Sequence, residues 1–173
     1  LAHLQVAKSY EVNQYLQMSH TVQNNLELVA SAKTGKKMGS LFWVLDKTHT
    51  AMGGRLLKQW LARPLLNVDE INHREEMVQA LFDGYFTREN AIDALKGVYD
   101  LERLTGRIAF GNVNARELLQ LSRSLEAVPT ILDALDQSDS DVLKKFAQKI
   151  DPLKGVAELI TTTIVKDPPL LTT

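Results

Sequence analysis

From Met52 to Leu61 the apolar residues Met52, Leu56, Leu57, Trp60 and Leu61 fall at spacings of four, one, three and one, and Pro64 follows three positions later. That spacing lays a single apolar stripe along a helix of about 3.6 residues per turn. The proline, which has no amide hydrogen to donate, stops it. The same arrangement recurs along the chain, and no segment shows strand alternation bounded by hairpin turns, so the fold class is all-α.

Leu1 to about Met18 reads as a helix on Leu1, Leu4, Val12, Tyr15 and Leu16, broken at Ser19 to Thr21. Val22, Leu26 and Val29 predict a short helix for which Thr21 is a candidate N-cap, and a basic loop punctuated by glycine follows from Lys33 to Gly39. Ser40 is placed to cap Leu41 to Leu45, and Thr48 or Thr50 to cap the helix that ends before Pro64. Asn67 and Glu70 have the spacing of a capping box ahead of a stripe of Ile71, Val78, Leu81 and Phe82, which Asp83-Gly84 ends. Thr87 can start the next helix, with Ala91, Leu95 and Val98 on one face. Asp100 caps or continues into Leu101, Leu104 and Ile108, which Gly111 closes.

Asn114 and Glu117 repeat the capping box before Leu118, Leu121, Leu125 and Val128, the clearest stripe in the chain. Pro129 marks a restart or a kink. Val142, Leu143, Phe146 and Ile150 form one further stripe; Asp151 as N-cap and Pro152 as first helical residue then lead into Leu153, Val156, Leu159 and Ile160. The expected architecture is a bundle of about eight short-to-medium helices.

A chain of 173 residues, 45% hydrophobic and 24% charged, fits one globular domain with a true core. Lys and Arg number 20 against 21 Asp and Glu, so there is no net pull toward a phosphate backbone, and DNA binding by this piece alone is expected to be weak. Zero cysteines exclude a disulfide framework, a thiolate nucleophile and a sulfur-ligated zinc, which fits a reducing compartment and makes cytoplasm the expected location. The longest apolar run, Leu41 to Leu45, is five residues, far short of a membrane span. Leu1 opens without a signal-type segment and the tail through Thr173 lacks a terminating element, so a piece of something longer is expected.

Reactive chemistry is hard to find. Ala30 to Lys37 has a Gly-Lys pair among small residues, but a phosphate loop needs a glycine five positions before that Gly and a Ser or Thr after the Lys; this chain has Ala30 and Lys37. Lys33, Lys36 and Lys37 can at most touch a phosphate or an acidic partner surface weakly. Glu70 and His73 match half of a di-iron helix motif, without the carboxylates that would complete it. The four histidines, at 3, 20, 49 and 73, share no metal-ligand spacing. Trp43 and Trp60 lack interleaved basic residues and are assigned to the core rather than to base stacking. Between Tyr99 and Ala109 two carboxylates and two arginines lie close along one amphipathic helix, and Arg55 is expected to pair with Asp100 or Glu102. If buried, that pair would cost about 3–5 kcal/mol to break from one side.

The pattern Asp46-x-Thr48-x-Thr50-x-Met52-Gly53-x-Arg55-x-Leu57-Lys58-x-Trp60-Leu61-x-x-Pro64-Leu65 resembles the signature of the core domain of the MutS family of DNA mismatch-recognition ATPases. Asn25-Leu26-Glu27-Leu28, Tyr99-Asp100-Leu101-Glu102-Arg103, Asn114-Ala115-Arg116-Glu117-Leu118 and Asp167-Pro168-Pro169 are similar to further pieces of that core in the same order. Gln23 and Asn24 depart from it, standing where the family commonly has basic residues, and an Asp is more usual near Ser19-His20.

The resemblance implies that residues 1–20 are a connecting helix leading into the core and that residues 21–173 are the helical core, truncated before the lever and clamp insertion. It implies interdomain or structural roles for Asn25, Leu26, Glu27, Arg55, Trp60, Asp100, Glu102 and Arg103, and no catalytic, cofactor-binding or metal residue in this stretch. The piece itself is then not an enzyme, while the parent is a DNA-dependent ATPase using ATP and magnesium. Its partners would be mismatched double-stranded DNA, a second MutS subunit and MutL, and uncovered stripes would let the piece self-associate. The alternatives are the core of a related recombination-control protein of the same family and a free-standing helical adaptor.

Overall fold

The computed structural model describes residues 14–169. Among them lie nine helices, no strand and one isolated antiparallel bridge, so the chain is all-α. The chain divides into two compact units, Leu1–Glu75 and Glu76–Thr173, with the boundary inside one helix.

The first unit holds α1 (His20–Asn25), α2 (Leu41–Leu45), α3 (Ala51–Ala62) and the start of α4 (Val68–Asp83). α1 is capped by Ser19, whose Oγ accepts from the Val22 amide at 3.2 Å, not by Thr21, and it ends at Asn25 before Val29 is reached. Ser40 caps α2 and Thr50 caps α3, each accepting from the amide three residues on. α3 ends at Ala62, ahead of Pro64. Asn67 caps the head of α4, its Oδ1 accepting from the Asp69 and Glu70 amides at 2.9 and 3.2 Å.

The helix expected over residues 1–18 is not formed where it can be seen. Its first thirteen positions lie outside the described residues, and Tyr15 instead bridges to Leu65. The Leu16 amide donates to the Pro64 carbonyl at 2.8 Å and the Leu66 amide to the Gln14 carbonyl at 3.2 Å. Pro64 leaves the end of α3 extended with free backbone groups, and a neighbouring extended segment satisfies them better than a helical turn would.

The second unit completes α4 and holds α5 (Tyr85–Leu95), α6 (Leu101–Ala109), α7 (Ala115–Asp136), α8 (Asp141–Ala147) and α9 (Lys154–Thr163). α7 packs against α5, α6, α8 and α9. Leu104, Leu121, Leu125 and Ala157 form one buried cluster; Leu135, Leu143 and Ala147 form another, flanked by Met77, Leu81, Ile131 and Leu132. Pro129 lies between the two along α7, and the helix runs through it without restarting. The proline removes only the amide that would serve the Leu125 carbonyl, and packing on both sides holds the rest. α5 begins at Tyr85, two residues before Thr87, and α9 begins at Lys154 rather than Pro152. Asp151 accepts from the Leu153 amide at 2.9 Å, and Leu153 itself is left-handed at φ 51°.

Several stripes face the core one residue away from the expected phase. Met77 and Leu81 pack inward, whereas Val78 and Phe82 are exposed. Ala147 is buried beside an exposed Phe146, and Ala157 beside an exposed Val156, with Leu159, Leu153 and Ile150 also outside. Phe42 is buried, which turns Trp43 outward, and Trp60 is likewise exposed. The tryptophans are therefore not core residues. One residue is 100° of helix, so a stripe displaced by one position presents a different side chain to its neighbour.

Candidate functional site

Glu27 is the centre of the first signature segment. It is left-handed at φ 47°, an unfavourable conformation for a residue with a Cβ. Its carboxylate Oε1 accepts from the Ala32 amide at 2.7 Å and from Ser31 Oγ at 3.1 Å. This turn sends the Glu27 and Leu28 carbonyls to the amides of Leu41 and Phe42, at 2.9 and 2.8 Å. With Ser40 Oγ on the Trp43 amide, the first three amides of α2 all find acceptors, which lets a five-residue helix exist. Asn25 closes α1, and Leu26, its C-cap, is exposed.

The second segment is pinned at Asp46. Lys37 Nζ makes an ion pair with Asp46 Oδ2 and lies 4.4 Å from the centroid of the Phe42 ring. Asp46 Oδ1 accepts from Thr48 Oγ1 at 2.6 Å and from the Thr48 amide at 3.2 Å. The Lys37 ammonium, then the Thr48 hydroxyl, hold the Asp46 carboxyl down at a pKa of about 2. A Cβ on Gly53 would come within 3.1 Å of Thr50 Oγ1 and 3.3 Å of Thr48 Cβ, so the Met-Gly step of the signature is what lets both threonines close over the start of α3. Arg55 sits on the exposed side of α3. Trp60 offers its ring to the Arg74 guanidinium, 3.9 Å from the centroid, which covers one face with a cation instead of with aliphatic core. Gln23, in place of a basic residue, donates from Nε2 to the Ala62 carbonyl at 3.4 Å at the end of α3.

The second unit holds the three remaining signature pieces, at the start of α6, at the start of α7 and after α9. Asp100 caps α6 by accepting from the Arg103 amide at 3.2 Å, while Glu102 and Arg103 are exposed on its first turn. α6 ends at Ala109 and Gly111 beyond it is left-handed at φ 68°, with the Asn112 amide on the Arg107 carbonyl at 3.0 Å and the Gly111 amide on the Ile108 carbonyl at 2.9 Å. Arg107 Nε lies 3.0 Å from Glu117 Oε1, joining the end of α6 to the start of α7. Asn114 and Glu117 form the expected capping box. Arg116 Nε donates to the Pro168 carbonyl at 2.9 Å, so the Asn-Ala-Arg-Glu and Asp-Pro-Pro pieces are one junction.

Two buried serines, Ser122 and Ser124, carry bonds that hydrophobic periodicity does not reveal. Ser124 Oγ accepts from the Tyr99 amide at 2.9 Å, and Ser122 Oγ donates to the Ala157 carbonyl at 3.2 Å. Their only signal is two small polar residues inside the α7 stripe, and both are fully buried. Lys33 and Lys36 lie in an exposed turn, whereas Lys37 is engaged by Asp46 and Phe42. Among the described residues no group of three His, Cys, Asp or Glu side chains is placed to hold a metal ion, and no helix is long and apolar enough to cross a membrane.

The amino-acid sequence is similar to known proteins. The family model for MutS domain III matches residues 21–173. The chain is 99% identical over its full length to the DNA mismatch repair protein MutS of Lactobacillus acidophilus and 92% identical to that of Lactobacillus helveticus, in each case covering 20% of the relative. To the protein of that name from Bacillus cereus it is 49% identical over 170 residues, 98% of this chain and 19% of the relative. The chain thus spans about a fifth of the length of the curated relatives it matches. With signature segments that build its helix junctions and a family match over nearly all its residues, the chain belongs to the MutS family, as domain III.

Proposed function

We propose that the chain is the helical core through which a full-length mismatch-recognition protein couples DNA occupancy to the nucleotide state of its ATPase domain. One observation carries this: the signature residues cap, terminate and join helices, as Glu27, Asp46, Asp100 and Arg116 do, instead of converging on a reacting centre. Packed helices with fixed ends repack between discrete arrangements and so relay displacement. In this reading ATP and magnesium are bound elsewhere in the parent, which acts in the cytoplasm. Mismatched double-stranded DNA, a second MutS subunit and MutL are the parent's partners, and residues 1–20 connect the core to what precedes it.

The test is made in the full-length protein. Arg116→Ala and Glu27→Ala should each leave ATP binding and DNA binding measurable while the stimulation of hydrolysis by mismatched DNA falls about fivefold or more, the low end of a typical coupling energy. Unchanged stimulation in both variants, or saturable ATP hydrolysis by the 173-residue chain alone, would overturn the reading.

A further inference from the structure

α9 has little terminal support of its own. It is ten residues long, opens from the left-handed Leu153 with no side chain capping its first amides, carries Gly155 in its first turn and has no basic residue in its last. A helix that short is marginal in water, so α9 owes its form to docking on α7. The docking ends early. Ala157 is buried in the cluster of Leu104, Leu121 and Leu125, Ile160 packs against that cluster, and Ser122 Oγ donates to the Ala157 carbonyl at 3.2 Å. Thr161, Thr162 and Thr163 follow, all exposed.

The three threonines work against the turn they form. Thr161 Oγ1 shares its proton between the Ala157 and Glu158 carbonyls, 3.1 Å from each; Thr162 Oγ1 donates to the Glu158 carbonyl at 2.8 Å and Thr163 Oγ1 to the Leu159 carbonyl at 2.6 Å. Each hydroxyl competes with a backbone amide for its acceptor, which bends and weakens a helix, and branching at Cβ adds a rotamer cost. Ile164 then leaves in an extended conformation, its amide still on the Ile160 carbonyl at 3.0 Å. The chain is caught again at Pro168, which is buried and held by Arg116. Ser122 and Arg116 stand six residues apart on α7, about 9 Å along its axis, so the stretch from Ala157 to Pro168 is tied at both ends to one helix. Unwinding the threonines lets out about 5 Å of chain. Elements that move are drawn from the least stable parts of a fold, and none of these three side chains is buried. We propose that the last turn of α9 is a helix-to-coil joint, latched by the grip of Arg116 on Pro168, that opens while the core cluster around Ala157 stays closed.

The joint stands on the fold of this chain and not on the coupling role. In the full-length protein, hydrogen exchange read by mass spectrometry with single-residue fragmentation should show the amides of residues 162–164 exchanging about tenfold or more faster than those of residues 157–160. Thr161→Ala, Thr162→Ala and Thr163→Ala together should slow residues 162–164 about fivefold or more, since alanine is the stronger helix former, and leave residues 157–160 unchanged. Arg116→Ala, which removes the latch, should speed residues 162–164 about fivefold, the worth of one hydrogen bond. Uniform protection from residue 157 to residue 164, exchange that the triple alanine variant does not slow, or exchange that Arg116→Ala leaves unchanged would overturn the proposal. Mismatch-stimulated hydrolysis is read in none of these measurements, so the joint and the coupling role fail separately.

Discussion

Arg116, in the first turn of α7, donates through Nε to the carbonyl of Pro168 at 2.9 Å, and its Nη2 lies 3.7 Å from Asp167 Oδ1. The hydrogen bond and the ion pair are unequal. Asp167 is 94% exposed, so water screens the charge pair, while the Pro168 carbonyl belongs to a buried residue. Arg116→Ala should therefore destabilise the chain by about 1–2 kcal/mol in urea unfolding. Asp167→Ala should cost less than about 0.5 kcal/mol. Equal costs would make the ion pair the anchor.

Glu27 separates side-chain bonding from backbone strain. Glu27→Ala loses the bonds to Ser31 and Ala32 and keeps the strain of φ 47°; Glu27→Gly loses the same bonds but relaxes the strain. Glycine should be the more stable variant by about 1 kcal/mol, with both below wild type. Thermal melts of the three proteins give the order directly.

Asp46 gives the stability a defined acid limb. Its folded pKa of about 2 lies below its ordinary 3.8, so its contribution is complete above pH 3.8 and is lost as pH falls toward 2. Wild type should exceed Asp46→Asn in melting temperature at neutral pH, and the gap should close across that window. A gap that stays constant down to pH 2 would show that the carboxylate charge is not what pins Lys37.

Leu143 and Phe146 lie three residues apart on α8, one fully buried and the other 40% exposed. Leu143→Ala should cost about 2–5 kcal/mol, the range for a lost core methyl cluster with its cavity. Phe146→Ala should cost less than about 1 kcal/mol, as surface truncations do. The ranking is opposite to what residue size alone suggests, and urea denaturation of the two variants decides it.

Helix ends were the most readable part of the chain. Ser40, Thr50, Asn67, Asp100 and the Asn114–Glu117 box all cap where their spacing says they should, because capping is a local reaction between a side chain and the next turn. Which edge of a stripe meets its neighbour was not readable. Buried helix positions include Ala91, Ala147, Ala157, Ser122 and Ser124, which carry little or no hydrophobic signal, while larger residues such as Phe82 and Phe146 stay exposed. The extended pairing of Tyr15 with Leu65 was hidden for a related reason, since it depends on a partner fifty positions away. At the signature segments the residue pattern pointed to the family, but the reason for each residue emerged only from its bonds: Glu27 for its turn and Gly53 for the room it leaves two threonines.

α7 is a rod of 22 residues, about 33 Å long at 1.5 Å per residue, and four other helices lean on it. Those four helices share α7 as their common packing surface, so each has its neighbours' shaft as its own support. The bond forgone at Pro129 marks the point along its length where that shaft bends first.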